Sequence, residues 1–267
     1  MFAAFRPRPR WSHGIPRVPP QTLVWAVGDI HGRADLLEPV LNRILDDCRS
    51  SAARSMVIFL GDYIDRGPAS SRVLEILTSV RADPSLDARF LCGNHEAALL
   101  EILQGKGGGD TWYRHGGREL LLAYGLRKPA HSNSRAWASL GRDLALRIPS
   151  DQIALLRSLD FSITVGDYFF SHAGARPGVS LKRQHRKDLL WIRETFTESK
   201  FQFDKVVVHG HTRTENVYID DRRIGLDTGA YETGVLSALR LWNDERHVLQ
   251  TVSESGRVGI NYRAITV

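Results

Sequence analysis

A chain of 267 residues with 42% hydrophobic content can bury one full core, and α/β architectures of this size commonly run as one domain. Lys and Arg number 36 against 30 Asp and Glu, a net +6, yet Arg6, Arg8, Arg10 and Arg17 of an acid-free leader carry +4 of it, so the body lacks the basic surface with interleaved aromatics expected of a binder of nucleic-acid polymers. No stretch approaches the roughly 18 apolar residues a membrane span needs, and two cysteines, Cys48 and Cys92, supply no disulfide framework, which makes the cytoplasm the default compartment.

The leader, residues 1–21, is too rich in Pro and Arg for a helix and lacks the continuous apolar run of a secretory signal. It reads as a flexible or polyproline-like arm, with a binding tail as the alternative, ahead of one domain over 22–267. Thr22–Val27 is a short apolar run ending at Gly28-Asp29, as a buried strand ending in a turn would. Between Arg33 and Cys48, Leu36, Leu37, Val40, Leu41, Ile44 and Leu45 fall on one helical face. The unit then repeats. Met56–Leu60 leads into GDYIDRG, and Ser70–Val80 is helical in pattern, with Pro68 suited to a helix start. Phe90 and Leu91 lead into GNHE, and Ala97–Leu103 follows as a helix. Strands alternating with helices predict a parallel sheet with its strand ends on one edge.

From 104 to 150 the pattern breaks: GKGGGD punctuates the chain, and TWYRHGGRELLLAYG mixes aromatics, basic residues and glycines. A helical insertion near the site is expected, either facing substrate or forming an ordinary surface excursion. Further on, Phe161–Val165 and Tyr168–Ser171 flank a Gly166-Asp167 hairpin signal, Gln184–Phe196 is helical in pattern, and Asn216–Ile219, Arg223–Leu226, Val235–Trp242 and Val248–Val252 read as strands. These predict a mostly antiparallel second sheet packed on the first, with helices outside.

Five polar segments follow apolar runs: GDIHG at 28–32, GDYIDRG at 61–67, GNHE at 93–96, SHAG at 171–174 and HGHT at 209–212. Each alone has a bland reading, because an Asp after a strand often caps a helix and a lone His or buried Asn usually satisfies backbone. Together they offer carboxylate oxygens, imidazole nitrogens and an amide oxygen at strand ends, a donor set for two divalent ions. Asp29 and His31 can ligate one ion, Asp62 can bridge, and Asn94, His172 and His211 can complete the second shell. Two such ions outweigh the charge of Asp29 and Asp62, which suits a phosphate dianion, and a hydroxide held between them could attack phosphorus in line.

In this order the motifs resemble the metallophosphoesterase superfamily, specifically its phosphoprotein phosphatase branch, marked by the DRG at 65–67 and typified by bacterial serine/threonine phosphatases. The resemblance implies a calcineurin-like four-layer α-β-β-α sandwich of two mixed sheets. It implies the same six metal ligands, makes His95 the general acid with Asp65 orienting its imidazole, and gives Arg66 and Arg193 to the phosphate. The bland alternatives are an Asp65–Arg66 ion pair stabilising the turn and, for Arg193, a surface charge on an amphipathic helix. His209 stays outside the ligand set, although its spacing would turn it to the same side as His211 for support. Many relatives carry a basic residue where this chain has Cys92, so a phosphate contact is missing there; Cys92 itself reads as a small buried residue rather than a nucleophile. GLDTGAYETG at 225–234 is similar to bacterial members, with Tyr231 placed to shape substrate access.

The function expected is hydrolysis of phosphomonoesters with two divalent ions, manganese first and iron or zinc next, by one-step attack of metal-bound hydroxide. The substrate is a phosphoprotein or a phosphorylated small molecule, and a serine/threonine protein phosphatase leads. A symmetrical bis(5'-nucleosyl)-tetraphosphatase is the alternative, for which Trp112, Tyr113, Arg114 and Arg118 would have to cluster as a base-stacking, polyphosphate-binding surface. A retired enzyme serving as a metal-stabilised scaffold would have lost a ligand or the general acid, and none is lost here.

Overall fold

A computed structural model describes residues 14–51, 53–106, 108–254 and 257–265. The first half alternates as its apolar runs require. Strands β1 (Thr22–Val27), β2 (Arg54–Phe59) and β3 (Asp87–Phe90) pair in parallel, and helices α1 (Ala34–Ser50), α2 (Ser70–Ala82) and α3 (Asn94–Leu103) follow them in turn. Both faces of β1 are buried, so it reads as one apolar run: Leu23, Trp25 and Val27 join the core beneath the helices, while Val24 and Ala26 enter the core between the sheets.

The insertion folds as α4 (Gly109–Trp112), a π-type turn over Tyr113–Gly117, α5 (Arg118–Ala123), α6 (Ser134–Arg147) and α7 (Ser150–Arg157). A hairpin of β4 (Ser162–Val165) and β5 (Tyr168–Ser171) comes next. The single helix expected over 184–196 is instead two short ones, α8 (Arg186–Trp191) and α9 (Glu194–Thr197), parted where Ile192 takes an extended backbone with ψ 140°. The chain then runs through β6 (Val206–His209), β7 (Tyr218–Ile219), β8 (Arg223–Gly225), α10 (Ala230–Thr233), β9 (Ser237–Trp242), β10 (Glu245–Glu254) and β11 (Arg257–Ala264).

The expected antiparallel second sheet needs correction. β9, β10 and β11 join the first sheet, in the order β11-β10-β9-β1-β2-β3, with β9 antiparallel to β1. The second sheet, β4-β5-β6-β8-β7, is mixed: β5, β6 and β8 are parallel, with β4 and β7 antiparallel at the edges. Apolar alternation identifies a strand but not its neighbour, and Leu23 pairs with Trp242 across most of the chain.

Tyr168, Phe170, Val206, Val208 and Ile224 face the first sheet, whereas Phe169 and Val207 pack outward on Leu189 and Phe196 of α8 and α9. The result is four layers, helix, sheet, sheet, helix. Packing begins upstream of the boundary expected at residue 22. Val18 is buried and its amide donates to the Asn243 carbonyl at 3.0 Å, the Arg17 amide donates to Asp167 at 3.0 Å, and the Tyr168 hydroxyl donates to the Pro16 carbonyl at 3.3 Å. Arg6, Arg8 and Arg10 lie outside the described residues.

Candidate functional site

The parallel triplets of the two sheets point their C-terminal ends at one place, where the loops after β1, β2, β3, β5, β6 and β8 meet. Asp62, after β2, is at the centre. One carboxylate oxygen lies 3.4 Å from His31 Nε2 and the other 3.4 Å from His172 Nε2. His31 Nδ1 donates to the Ile64 carbonyl at 2.9 Å and His172 Nδ1 to the Leu60 carbonyl at 3.0 Å. With Nδ1 protonated, each Nε2 carries a lone pair aimed at Asp62. His172 Nε2 is also 3.0 Å from Asn94 Oδ1, so nitrogen and oxygen acceptors converge with no proton between them.

Two groups with donor atoms within 4.8 Å share Asp62: His31, Asp62 and His95, and Asp62, His172 and His211. Asp29 belongs to neither. Its Oδ2 accepts from the His211 amide at 3.0 Å, while its Oδ1 and His211 Nε2 are buried without hydrogen-bond partners. Burial pushes the Asp29 carboxyl well above its usual range, and the charges of Asp227 and Asp62 push it further. Burial also pushes His31 down to about 3 and lowers His172 and His211, leaving neutral imidazoles. Orphaned acceptors, neutral imidazoles and crowded carboxylates are what divalent cations relieve, so the donor set fits two adjacent ions.

Beside this cluster, His95 Nδ1 donates to Asp65 Oδ2 at 2.7 Å. Burial disfavours the imidazolium, but Asp62 and Asp65 outweigh it and raise the His95 pKa above 6.5. Arg66 does not pair with Asp65. Its Nη2 reaches to 3.4 Å from His95 Nε2, and its guanidinium lies over the Tyr231 ring, 4.7 Å from the centroid. Arg193 donates to the His211 carbonyl at 3.1 Å. Both arginines line a cavity of about 590 Å³ with His95, Ile102, Trp112 and Trp191.

His209 turns away from the role allowed it. Nδ1 donates to the Gly210 carbonyl at 2.9 Å, Nε2 accepts from Arg223 at 3.0 Å, and the ring meets Phe196 edge-on. Cys92 is a buried core residue, and burial pushes its thiol up, as suits a packing residue rather than a nucleophile. Trp112 is buried on Asp65 and offers no exposed stacking face, whereas Tyr113 is half-buried, packing on Trp137. Arg118 lines a separate cleft with Tyr113.

Glu96 escaped the sequence reading. It is fully buried, and its carboxylate accepts from the amides of Asp62 and Tyr63 at 2.8 Å, Gly93 at 2.9 Å and Ile64 at 3.3 Å, tying the second motif to the third. Its place three residues after Gly93, at the start of α3, is the capping-box spacing that could have revealed it. Asp227, after β8, is a further buried carboxylate near Asp29, and its Oδ1 accepts from the Gly229 amide at 2.9 Å.

Among known proteins, serine/threonine-protein phosphatase 2 of Escherichia coli is 37% identical over 99 residues, 35% of this chain and 38% of that one. A symmetrical bis(5'-nucleosyl)-tetraphosphatase of Janthinobacterium is 29% identical over 153 residues, 57% of this chain and 44% of that one. The matches thus span less than half the length of either relative. Two crystal structures share the fold: a protein provisionally described as a diadenosine tetraphosphatase (TM-score 0.57, 22% identity, 94% of this chain and 98% of that one) and a cold-active protein tyrosine phosphatase (TM-score 0.56, 19% identity, 96% and 85%). With its motifs gathered at the joint edge of two sheets, and with residues 22–240 matching the family as a whole, the chain belongs to the calcineurin-like phosphoesterases.

Proposed function

We propose that the chain is a cytoplasmic phosphomonoester hydrolase that carries two divalent ions and dephosphorylates serine and threonine side chains of proteins. The observation that carries this reading is Asp62, whose two oxygens face separate imidazoles. In this reading Asp29 and His31 hold one ion, Asp62 bridges, and Asn94, His172 and His211 hold the other. Manganese is the first choice, and iron or zinc suits the same mixed oxygen and nitrogen donors. When bound, such ions supply counter-charge for the phosphate and activate water at neutral pH.

The chain's own residues complete the site. Arg66 and Arg193 present planar donors to phosphate oxygens from one cavity wall. His95, held through Nδ1 by Asp65, gives its Nε2 proton to the departing alkoxide, a poor leaving group that needs it. No helix among the described residues is long and apolar enough to cross a membrane.

One observation favours the nucleotide reading: Trp191 is 49% exposed on the cavity that holds Arg193 and could stack a base. The burial of Trp112, and the place of Tyr113 and Arg118 on a separate cleft, weigh the other way. The test is turnover of a phosphothreonine peptide against diadenosine tetraphosphate with manganese present. Preference for the peptide is expected, and a large preference for the dinucleotide would overturn the protein-phosphatase reading.

A further inference from the structure

Trp112 comes from the insertion, which supplies none of the residues given to metal, proton transfer or phosphate in the proposed function. Its indole Nε1 donates to Asp65 Oδ2 at 2.8 Å, the same oxygen that accepts from His95 Nδ1 at 2.7 Å. Asp65 is fully buried and its Oδ1 has no hydrogen-bond partner, so these two donors fix the carboxylate. An indole N–H donates only. It can hold that oxygen in place but cannot exchange a proton with it.

The insertion is built to keep the indole there. Trp137 packs against it in a T-shaped contact with centroids 6.5 Å apart, and the chain passes so close at Gly117 that a Cβ would sit 2.3 Å from Trp112 Cε2. The neighbouring Gly116, at φ +120°, accepts from the Arg66 amide at 3.1 Å, and a Cβ there would lie 2.7 Å from that nitrogen. One turn of the insertion therefore braces Asp65 and Arg66, both of which hold left-handed backbone, φ +68° and +66°. Such conformations persist only where surrounding structure imposes them.

We infer that Trp112 is a positioning residue for phosphoester cleavage: its indole N–H fixes Asp65 so that His95 is aimed at the leaving oxygen, which makes the insertion a working part of the site. The inference rests on His95 as proton donor, and its test separates the two. The full chain, loaded with manganese, is assayed on a phosphothreonine peptide and on p-nitrophenyl phosphate, whose phenolate departs without a proton. Trp112→Phe should lower kcat on the peptide about tenfold, leave KM within about twofold, and slow the aryl substrate far less. Combined with Asp65→Asn it should fall no further than Asp65→Asn alone. Gly117→Ala, which drives a methyl into the indole, is the second variant should Trp112→Phe not fold, and the same substrate-selective loss is expected. Equal slowing of both substrates, or losses that add to those of Asp65→Asn, would overturn the role of Trp112. If His95→Asn itself slows both substrates equally, the proton-donor reading falls, and the role of Trp112 falls with it.

Discussion

Of the seven non-glycine residues with positive φ among those described, five lie in the site: His31, Asp62, Asp65, Arg66 and His211. A left-handed L-residue costs roughly 1–2 kcal/mol, so this concentration marks where the fold trades stability for placement. Asp62 is the most demanding of them. Asp62→Asn removes the carboxylate's negative charge and one of its two oxygen donors at the point shared by both groups, and it is expected to reduce bound manganese from two ions to one at most and turnover by more than about 100-fold. Elemental analysis of the purified variant beside a turnover assay checks this, and two tightly held ions would refute the bridging role. His209 allows a cleaner electrostatic test. Burial pushes it down to about 3, and the charge of Arg223 adds to that. Its folded pKa is below the unfolded value of about 6.5, so its contribution to stability is whole above pH 6.5 and drains as pH falls toward 3. His209→Gln should therefore cost less stability at pH 5.0 than at pH 7.5, by about 2 kcal/mol. Urea denaturation at the two pH values measures the difference, and a penalty independent of pH would mean that the ring does not stay neutral in the fold. The motif residues were legible because each follows an apolar run in the sequence. Glu96 and Trp112 were not, because their partners are backbone amides and a buried carboxylate brought together only by folding.

Strands place these residues, and parallel strands do so most directly, since each delivers its C-terminal end to the same edge. That explains why β5, β6 and β8, which carry His172, His211 and Asp227 at their ends, run parallel inside a sheet whose edges are antiparallel. The first-half strands and helices were legible from periodicity, whereas the partner of β1 was not. Val235–Trp242 has an alternating pattern that either sheet could accept, and its pairing with β1 rests on contacts more than 200 positions apart in sequence. Helix packing makes a prediction whose sign is not obvious. In α6, Gly141 faces α3 so closely that a Cβ would lie 2.0 Å from the Ile102 carbonyl oxygen. Helix propensity alone would favour Gly141→Ala by about 1 kcal/mol. A clash with main chain cannot be relieved by a rotamer change, and overpacking typically costs about 1–3 kcal/mol. Gly141→Ala should thus lower unfolding free energy by about 1 kcal/mol or more and disturb α3, the helix that begins with Asn94 and His95. A stabilised variant in chemical denaturation would show that α6 can simply slide away.

At the scale of the molecule, the candidate centre is a junction between sheets. Asp29, His31, Asp62 and Asn94 come from loops of the first sheet, His172 and His211 from the second. The apolar layer between them, with Val24, Ala26, Ile58, Tyr168, Phe170 and Val208, holds the sheets together but leaves Asp29, Asp62 and Asp227 crowded at its end. Ions bound there would neutralise that repulsion and link the sheets, an arrangement the unfolded chain cannot reproduce. Binding to the folded state alone stabilises by RT ln(1 + [L]/Kd), about 2.7 kcal/mol at a hundredfold excess over Kd. For a chain of this size each kcal/mol moves Tm by about 2–4 °C. Manganese added to chelator-stripped protein should therefore raise Tm by about 5–10 °C, with Tm continuing to climb with manganese concentration after the site is filled. Scanning calorimetry of the stripped protein and of Asp62→Asn across a manganese series tests the linkage. The variant should show most of the shift abolished. An equal shift in both would place the stabilising ions elsewhere on the surface, and no shift in either would break the connection between this junction and metal.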